Sequence, residues 1–311
     1  MGMPAIALER NTSGGAGEET ASTVTLSKLK LRMILAGRFQ LLRLLGGGAM
    51  GDVYECEDLL LRQRVALKIL RRDIGPRSDV ENRFKQEVVN GRRVTAPNVC
   101  RIFDLGLERS QDGSEILFFT MELLQGETLA ARIRRGALAE AEALPLILDI
   151  AAGLEAIHRA KIVHRDVKSS NIILAGSERV RAVLTDFGLS SVLDGKPAGD
   201  PTAGTIHYMA PEQIRGEEIT PATDLYAFGV VMYEMLTGQR PFTASNPSEV
   251  LLKHLTGEPR RPSAIAPWLQ PHWDRVLLTC LRKRPEARFA SADQLCRQIS
   301  GISGSQYRNI S

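Results

Sequence analysis

The chain has 311 residues, 43% hydrophobic and 24% charged, with a formal net charge of +4. That balance suits a soluble globular protein with a sizeable core and excludes collagen, coiled coil and wholesale disorder. The charge excess is too small to argue for nucleic acid. A membrane span is also unsupported, because the best apolar stretch, 143–158, carries Asp149 and Glu155.

The elements are predicted in chain order. Residues 1–37 read as a flexible tail, since "NTSGGAGEETASTVT" has little to bury. Nothing there resembles a charged region followed by an apolar stretch, so a cytoplasmic location is expected. The four cysteines lie far apart without C-x-x-C spacing, which argues against zinc or disulfides and for a reducing compartment. From Arg38 to Leu124 short strands dominate: "FQLLRLLGG", "GDVYECEDLL", "RQRVALKIL", "NVCRIFDLG" and "EILFFTMEL". One helical stretch, "ENRFKQEVVNGRRV", interrupts them. Beyond that the chain is mainly helical. The long apolar-periodic runs are "LAEAEALPLILDIAAGLEAIHRA" and "PATDLYAFGVVMYEMLTG", the latter ended by Gly238 and Pro241. A strand-rich front and a helix-rich back predict an α+β chain with two lobes and a cleft between them.

Several groups of residues carry chemistry. Gly46, Gly48 and Gly51 form G-x-G-x-x-G, which alone is a weak signal. The segment after it, "DVYECED", alternates like a strand. Dinucleotide folds and simple turns also contain this pattern, but a strand after the glycines, where a dinucleotide fold needs a helix, favours a flap whose amides can approach phosphate. Arg far outnumbers Lys in this chain, so Lys68, ending "VALK" in an apolar strand, is informative. A buried ammonium requires an anion. Glu87, nineteen residues on, suits an ion pair, although alone it would read as a solvated helix face. "IVHRDVKSSNIIL" sets Asp166, Lys168 and Asn171 on a polar loop, and "LTDFGLS" follows with Asp186. Asn171 and Asp186 offer hard oxygens for Mg²⁺, and Asp166 remains to orient a hydroxyl and accept its proton. Any one of these Asp residues could be a turn residue or helix cap; the full string at this spacing rarely arises by chance.

With these motifs in order, the sequence resembles the eukaryotic-type (Hanks-type) protein kinase family, in its bacterial Ser/Thr branch, from about Phe39 to Ile299. The further matches are A-P-E at Ala210 to Glu212, Asp224 at the start of the following apolar helix, and Arg288 as the partner of Glu212. The resemblance implies a kinase domain over 38–300, with an N-lobe over 38–124 and a C-lobe over 125–300, followed by a tail over 301–311. It places ATP between Leu45, Val53, Ala66 and the linker Met121, Glu122, Leu123 and Leu124, under Gly46, Gly48 and Gly51. It assigns catalysis to Asp166, Lys168, Lys68 and Glu87, and the metal, Mg²⁺ with Mn²⁺ as the alternative, to Asn171 and Asp186. Lys168 and the "GTIHYMAPE" segment with Thr205 favour a protein Ser/Thr substrate. Arg165 with Ser190, Ser191, Thr202 and Thr205 is the expected regulatory set. Autophosphorylation is expected on Thr202, in trans within a homodimer. The alternative is a pseudokinase or nucleotide-binding scaffold. Nucleic-acid binding is not expected, because the Arg pairs at 71–72, 92–93 and 134–135 are scattered and lack interleaved aromatics. Two departures stand out. Ser169 replaces a common Pro, which predicts a slightly less rigid loop. Gly91, four residues after Glu87, predicts a mobile helix with an intermittent Lys68–Glu87 pair.

Overall fold

The computed structural model describes residues 31–48, 51–70, 77–109, 115–176, 178–186 and 205–306. The first part is a twisted antiparallel sheet. Its strands are β1 (Ile34–Leu35), β2 (Phe39–Gly48), β3 (Gly51–Asp58), β4 (Gln63–Leu70), β5 (Ile102–Arg109) and β6 (Glu115–Met121), in the order β1-β2-β3-β4-β6-β5. β4 is central and its last six residues are all buried, which explains why "VALKIL" reads as a continuous apolar run broken only by Lys68. The helix α1 (Arg77–Arg92) separates β4 from β5 and packs on the sheet through Phe84 and Val88.

The sheet starts earlier than the sequence suggests, which corrects the tail predicted to residue 37. Ile34 and Leu35 pair with Gln40 and Phe39, and the amide of Arg32 donates to the carbonyl of Leu41 at 2.7 Å. The reason is Leu35, which is completely buried and anchors a strand too short to show alternation. Residues 1–30 lie outside the described region, as do 307–311.

The second part opens with β7 (Gly126–Thr128) and α2 (Leu129–Ile133), continues through α3 (Glu140–Arg159), and carries the hairpin β8 (Ile172–Ala175) and β9 (Arg181–Leu184). The strands β7, β8 and β9 form a small antiparallel sheet. Then come α4 (Pro211–Arg215), α5 (Pro221–Thr237), α6 (Pro247–Thr256), α7 (His272–Cys280) and α8 (Ala292–Gln306). α8 runs past residue 300, where the sequence reading ended the domain. Every residue of α5 from Thr223 to Thr237 is buried, so it is enclosed all round, mostly by apolar contacts, and forms the axis of this half. Each large side chain it buries contributes about 1.5–3 kcal/mol. Gly238, left-handed at φ 71°, stops it as the sequence predicts. The architecture is α+β, a sheet-rich N-terminal part on a helical C-terminal part.

Candidate active site

The strands β2 and β3 are joined where glycine pairs with glycine. Gly46 lies opposite Val53, and Gly48 opposite Gly51, so a strand, and not a helix, follows the glycines. The neighbouring register builds the rest of this wall. Val53 lies opposite Lys68 on β4, and Ala66 lies opposite Met121 on β6. Ala66 is buried, Leu45 is exposed, and Val53 and Met121 to Leu124 are half-buried. The linker is fixed at its back. The Glu122 amide donates to the Arg101 carbonyl at 2.8 Å, and its carboxylate takes Arg181 at 2.8 Å. Met121 and Leu124 share a small apolar cluster with Ile173. Ile173 was not singled out from sequence. The available signal was its place two residues after Asn171, on the face of β8 opposite the buried Ile172 and Leu174.

Lys68 is almost fully buried, with its ammonium 2.5 Å from the Asp186 carboxylate and 3.4 Å from that of Glu87. Burial works against the charged ammonium, but Asp186 and Glu87 together hold its pKa above the usual lysine range. Burial pushes the Asp186 carboxyl up, yet the adjoining Lys68 more than offsets this and holds it below the usual carboxylate range. Glu87 is the weaker partner of the ammonium. Burial pushes it up to about 8, and Lys68 only partly opposes this. One Glu87 oxygen, Oε2, is buried without a hydrogen-bond partner. Asp186 has φ 58°, a left-handed conformation costly for a non-glycine residue and held here by its surroundings.

The loop before β8 is fastened from below by α5. Asp224, buried in the first turn of that helix, accepts from His158 Nε2 and from the amides of His164 and Arg165, each at 2.8 Å. Arg165 has φ 68°, so these bonds hold a strained turn. His164 Nε2 donates to the Thr185 carbonyl at 3.0 Å, which ties the loop to the residue before Asp186. The β8–β9 pairing does the same, since the Thr185 amide donates to the Asn171 carbonyl at 2.9 Å. The loop side chains then converge. Asn171 Nδ2 donates to Asp166 Oδ2 at 2.8 Å and to its carbonyl at 3.0 Å. Lys168 Nζ lies 2.8 Å from the same Oδ2 and 3.1 Å from Thr205 Oγ1. The other oxygen, Asp166 Oδ1, is buried and has no hydrogen-bond partner.

Arg288 meets Glu212 in a bidentate pair at 2.7 and 2.8 Å, fully buried, with Thr223 donating to the same carboxylate at 2.9 Å. Gly91 has a packing role that the sequence did not show. A Cβ there would lie 2.3 Å from Ile102 Cδ1, so the glycine lets α1 cross β5 closely. Ser169, in place of the common Pro, is buried and hydrogen-bonded to Tyr208 at 2.9 Å. Of the sequence-predicted residues, Lys68, Glu87 and Asp186 come together, as do Asp166, Lys168, Asn171 and Thr205. Ser190, Ser191 and Thr202 lie outside the described residues, as does Phe187.

The described residues thus gather a buried lysine between two carboxylates, and an aspartate with one buried, unpartnered oxygen, on a two-part α+β frame. The protein kinase domain family matches residues 39–299, and the chain belongs to that family. Its relatives include the serine/threonine-protein kinase PrkC of Bacillus subtilis, 34% identical over 264 residues, covering 84% of this chain and 40% of PrkC. Serine/threonine-protein kinase PknA of Mycobacterium tuberculosis is 32% identical over 276 residues, covering 88% of this chain and 63% of PknA. The solved PknI kinase domain of M. tuberculosis superposes with a TM-score of 0.70 at 26% identity, covering 89% of this chain and 99% of that one. The chain thus spans less than half the length of PrkC. Among the described residues no helix is long and apolar enough to cross a membrane.

Proposed function

We propose that the chain transfers the γ-phosphoryl group of ATP to Ser and Thr hydroxyls of protein substrates. The observation that carries this reading is the convergence at Asp166. Lys168 and Asn171 both bind its Oδ2, which leaves Oδ1 buried and unpartnered where a hydroxyl proton can be accepted. Lys68 is the cation for the nucleotide phosphates, with Asp186 keeping it charged and Glu87 helping to hold it in place. Leu45, Val53, Ala66, Ile173 and the linker 121–124 offer an apolar slot of the kind an adenine ring fills.

The donors fit a hard divalent cation. The Asn171 nitrogen is spent on Asp166, so its oxygen is the end left for a metal, and Asp186 supplies a carboxylate kept ionised by Lys68. Mg²⁺, or Mn²⁺ in its place, would be held by Asn171 and Asp186 and would neutralise charge on phosphate oxygens. Lys168, bridging Asp166 and Thr205, suits a Ser/Thr acceptor seated beside the loop. Regulation follows the same reading. A phosphate on Thr202 adds roughly −1.5 to −2 charges, which Arg165 can pair with, and Ser190 and Ser191 are the other candidates. Transfer in trans within a homodimer and a cytoplasmic location complete the proposal. The test is phosphoamino-acid analysis of a Ser/Thr/Tyr peptide library incubated with the chain and Mg-ATP. Phosphoserine and phosphothreonine are expected; phosphotyrosine alone, or no product, overturns the reading.

A further inference from the structure

The Ser169 position, where the family's common proline is absent, lies at one end of a buried polar chain. Ser169 Oγ is 2.9 Å from Tyr208 Oη, and Tyr208 Oη is 2.6 Å from Glu234 Oε2. Arg240 Nε donates to Glu234 Oε1 at 3.2 Å. Its guanidinium also lies over the Tyr208 ring, 5.5 Å from the centroid. Ser169, Tyr208 and Glu234 are all buried, and Glu234 stands on the buried helix α5.

The donor inventory fixes the direction of this chain. Glu234, paired with Arg240, is an acceptor only. Tyr208 has one proton, and the short bond spends it on Glu234. Burial and the Glu234 carboxylate both hold the phenol above its usual pKa, so that proton stays. The Ser169 hydroxyl is therefore the donor to Tyr208. A proline at this position has no such proton to give.

Thr205–Tyr208 is a single 3₁₀ turn, and successive loop residues hold its two ends. Lys168 reaches Thr205 at 3.1 Å, and Ser169 reaches Tyr208 at 2.9 Å. The turn and the loop that carries Asp166 are thus clamped at both ends. α5 anchors the far side of the clamp through Glu234, and the loop itself through Asp224.

We propose that Ser169 is a positioning residue for the acceptor peptide, its hydroxyl acting through Tyr208 to hold the 205–208 turn at a set distance from Asp166. The proposal rests on the kinase reading for the identity of the acceptor, but the clamp itself does not depend on it. A purely structural role would lower thermal stability without distinguishing one substrate from the other.

The experiment uses the full chain with Ser169→Ala, Ser169→Thr, Tyr208→Phe and the Ser169→Ala/Tyr208→Phe double variant. KM for an acceptor peptide, KM for ATP and kcat are measured for each. Losing one buried hydrogen bond is expected to raise the peptide KM about 3- to 10-fold in Ser169→Ala. KM for ATP should stay within about twofold, well below that change. Ser169→Thr should restore the peptide KM, and adding Ser169→Ala to Tyr208→Phe should change nothing more. An unchanged peptide KM, or equal rises in both KM values, overturns the proposal. Amide hydrogen exchange at 205–208 is read on the same proteins. If the wild type transfers no phosphate, the kinase reading fails, and exchange decides the clamp. Faster exchange at 205–208 in Ser169→Ala supports it, and equal exchange overturns it.

Discussion

Replacing Asp224 tests how the loop is held. Asp224→Ala removes the acceptor of three hydrogen bonds, from His158 Nε2 and the His164 and Arg165 amides, at a site only 1% exposed. Hydrogen bonds to a charged group contribute about 1.5–3 kcal/mol each, but they share one carboxylate whose own desolvation is unfavourable, so the sum overstates the loss. Two backbone amides lose their carboxylate acceptor, and the left-handed Arg165 loses the bond that offsets its strain. A net destabilisation of about 3–5 kcal/mol is expected, like that of breaking other buried charge networks. For a domain of this size that lowers Tm by roughly 6–15 °C. Calorimetry measures the shift, and kcat should fall at a temperature where the variant remains folded, because Asp166 follows Arg165 directly. Asp224→Asn retains the volume but points an NH₂ at a donor, and should lie between wild type and alanine. A Tm within about 1 °C of wild type for Asp224→Ala would refute the reasoning, since it would mean that a buried three-bond acceptor carries no load.

Three further outcomes follow. Glu212→Leu or Arg288→Met alone should cost about 3–5 kcal/mol by urea unfolding, and the double variant should recover most of it, because the cost lies in the orphaned charge. Gly91→Ala should destabilise by about 1–3 kcal/mol even though alanine favours helix, because its Cβ meets Ile102; trimming with Ile102→Val should recover part of this, and stabilisation would contradict the packing account. Glu87 has its carboxyl pushed up to about 8 by burial, so the folded state binds a proton that the unfolded state releases. Its contribution is therefore fully present at pH below its ordinary value and is lost as pH rises to about 8. The stability of wild type relative to Glu87→Gln should decline across that window, and a flat or rising difference would contradict the assignment.

Much of the site was legible because its residues sit at fixed spacings on short loops and strands. Lys68 showed itself as a lone cation in an apolar strand, and Asp166, Lys168 and Asn171 lie within one loop. The α+β division followed from periodicity, which reports the face a residue buries. What periodicity does not report is the partner across the fold. Asp224 reads as an ordinary acid in a helix first turn, which the helix dipole favours anyway, and its three donors lie some sixty residues away. The packing role of Gly91 was hidden because its neighbour Ile102 belongs to another element. Ser169 read as a lost proline because Tyr208 is 39 residues further on. β1 was missed because two residues are too few to show alternation, although Leu35 is one of the most buried side chains.

In the proposed mechanism Asp166 takes the acceptor proton. The direct measurement is the rate of transfer of labelled γ-phosphate from Mg-ATP to an acceptor protein by wild type and by Asp166→Asn, with nucleotide affinity measured alongside. The predicted result is a fall of about 10²–10⁴-fold in transfer with nucleotide affinity retained. Equal transfer by the two proteins would contradict it.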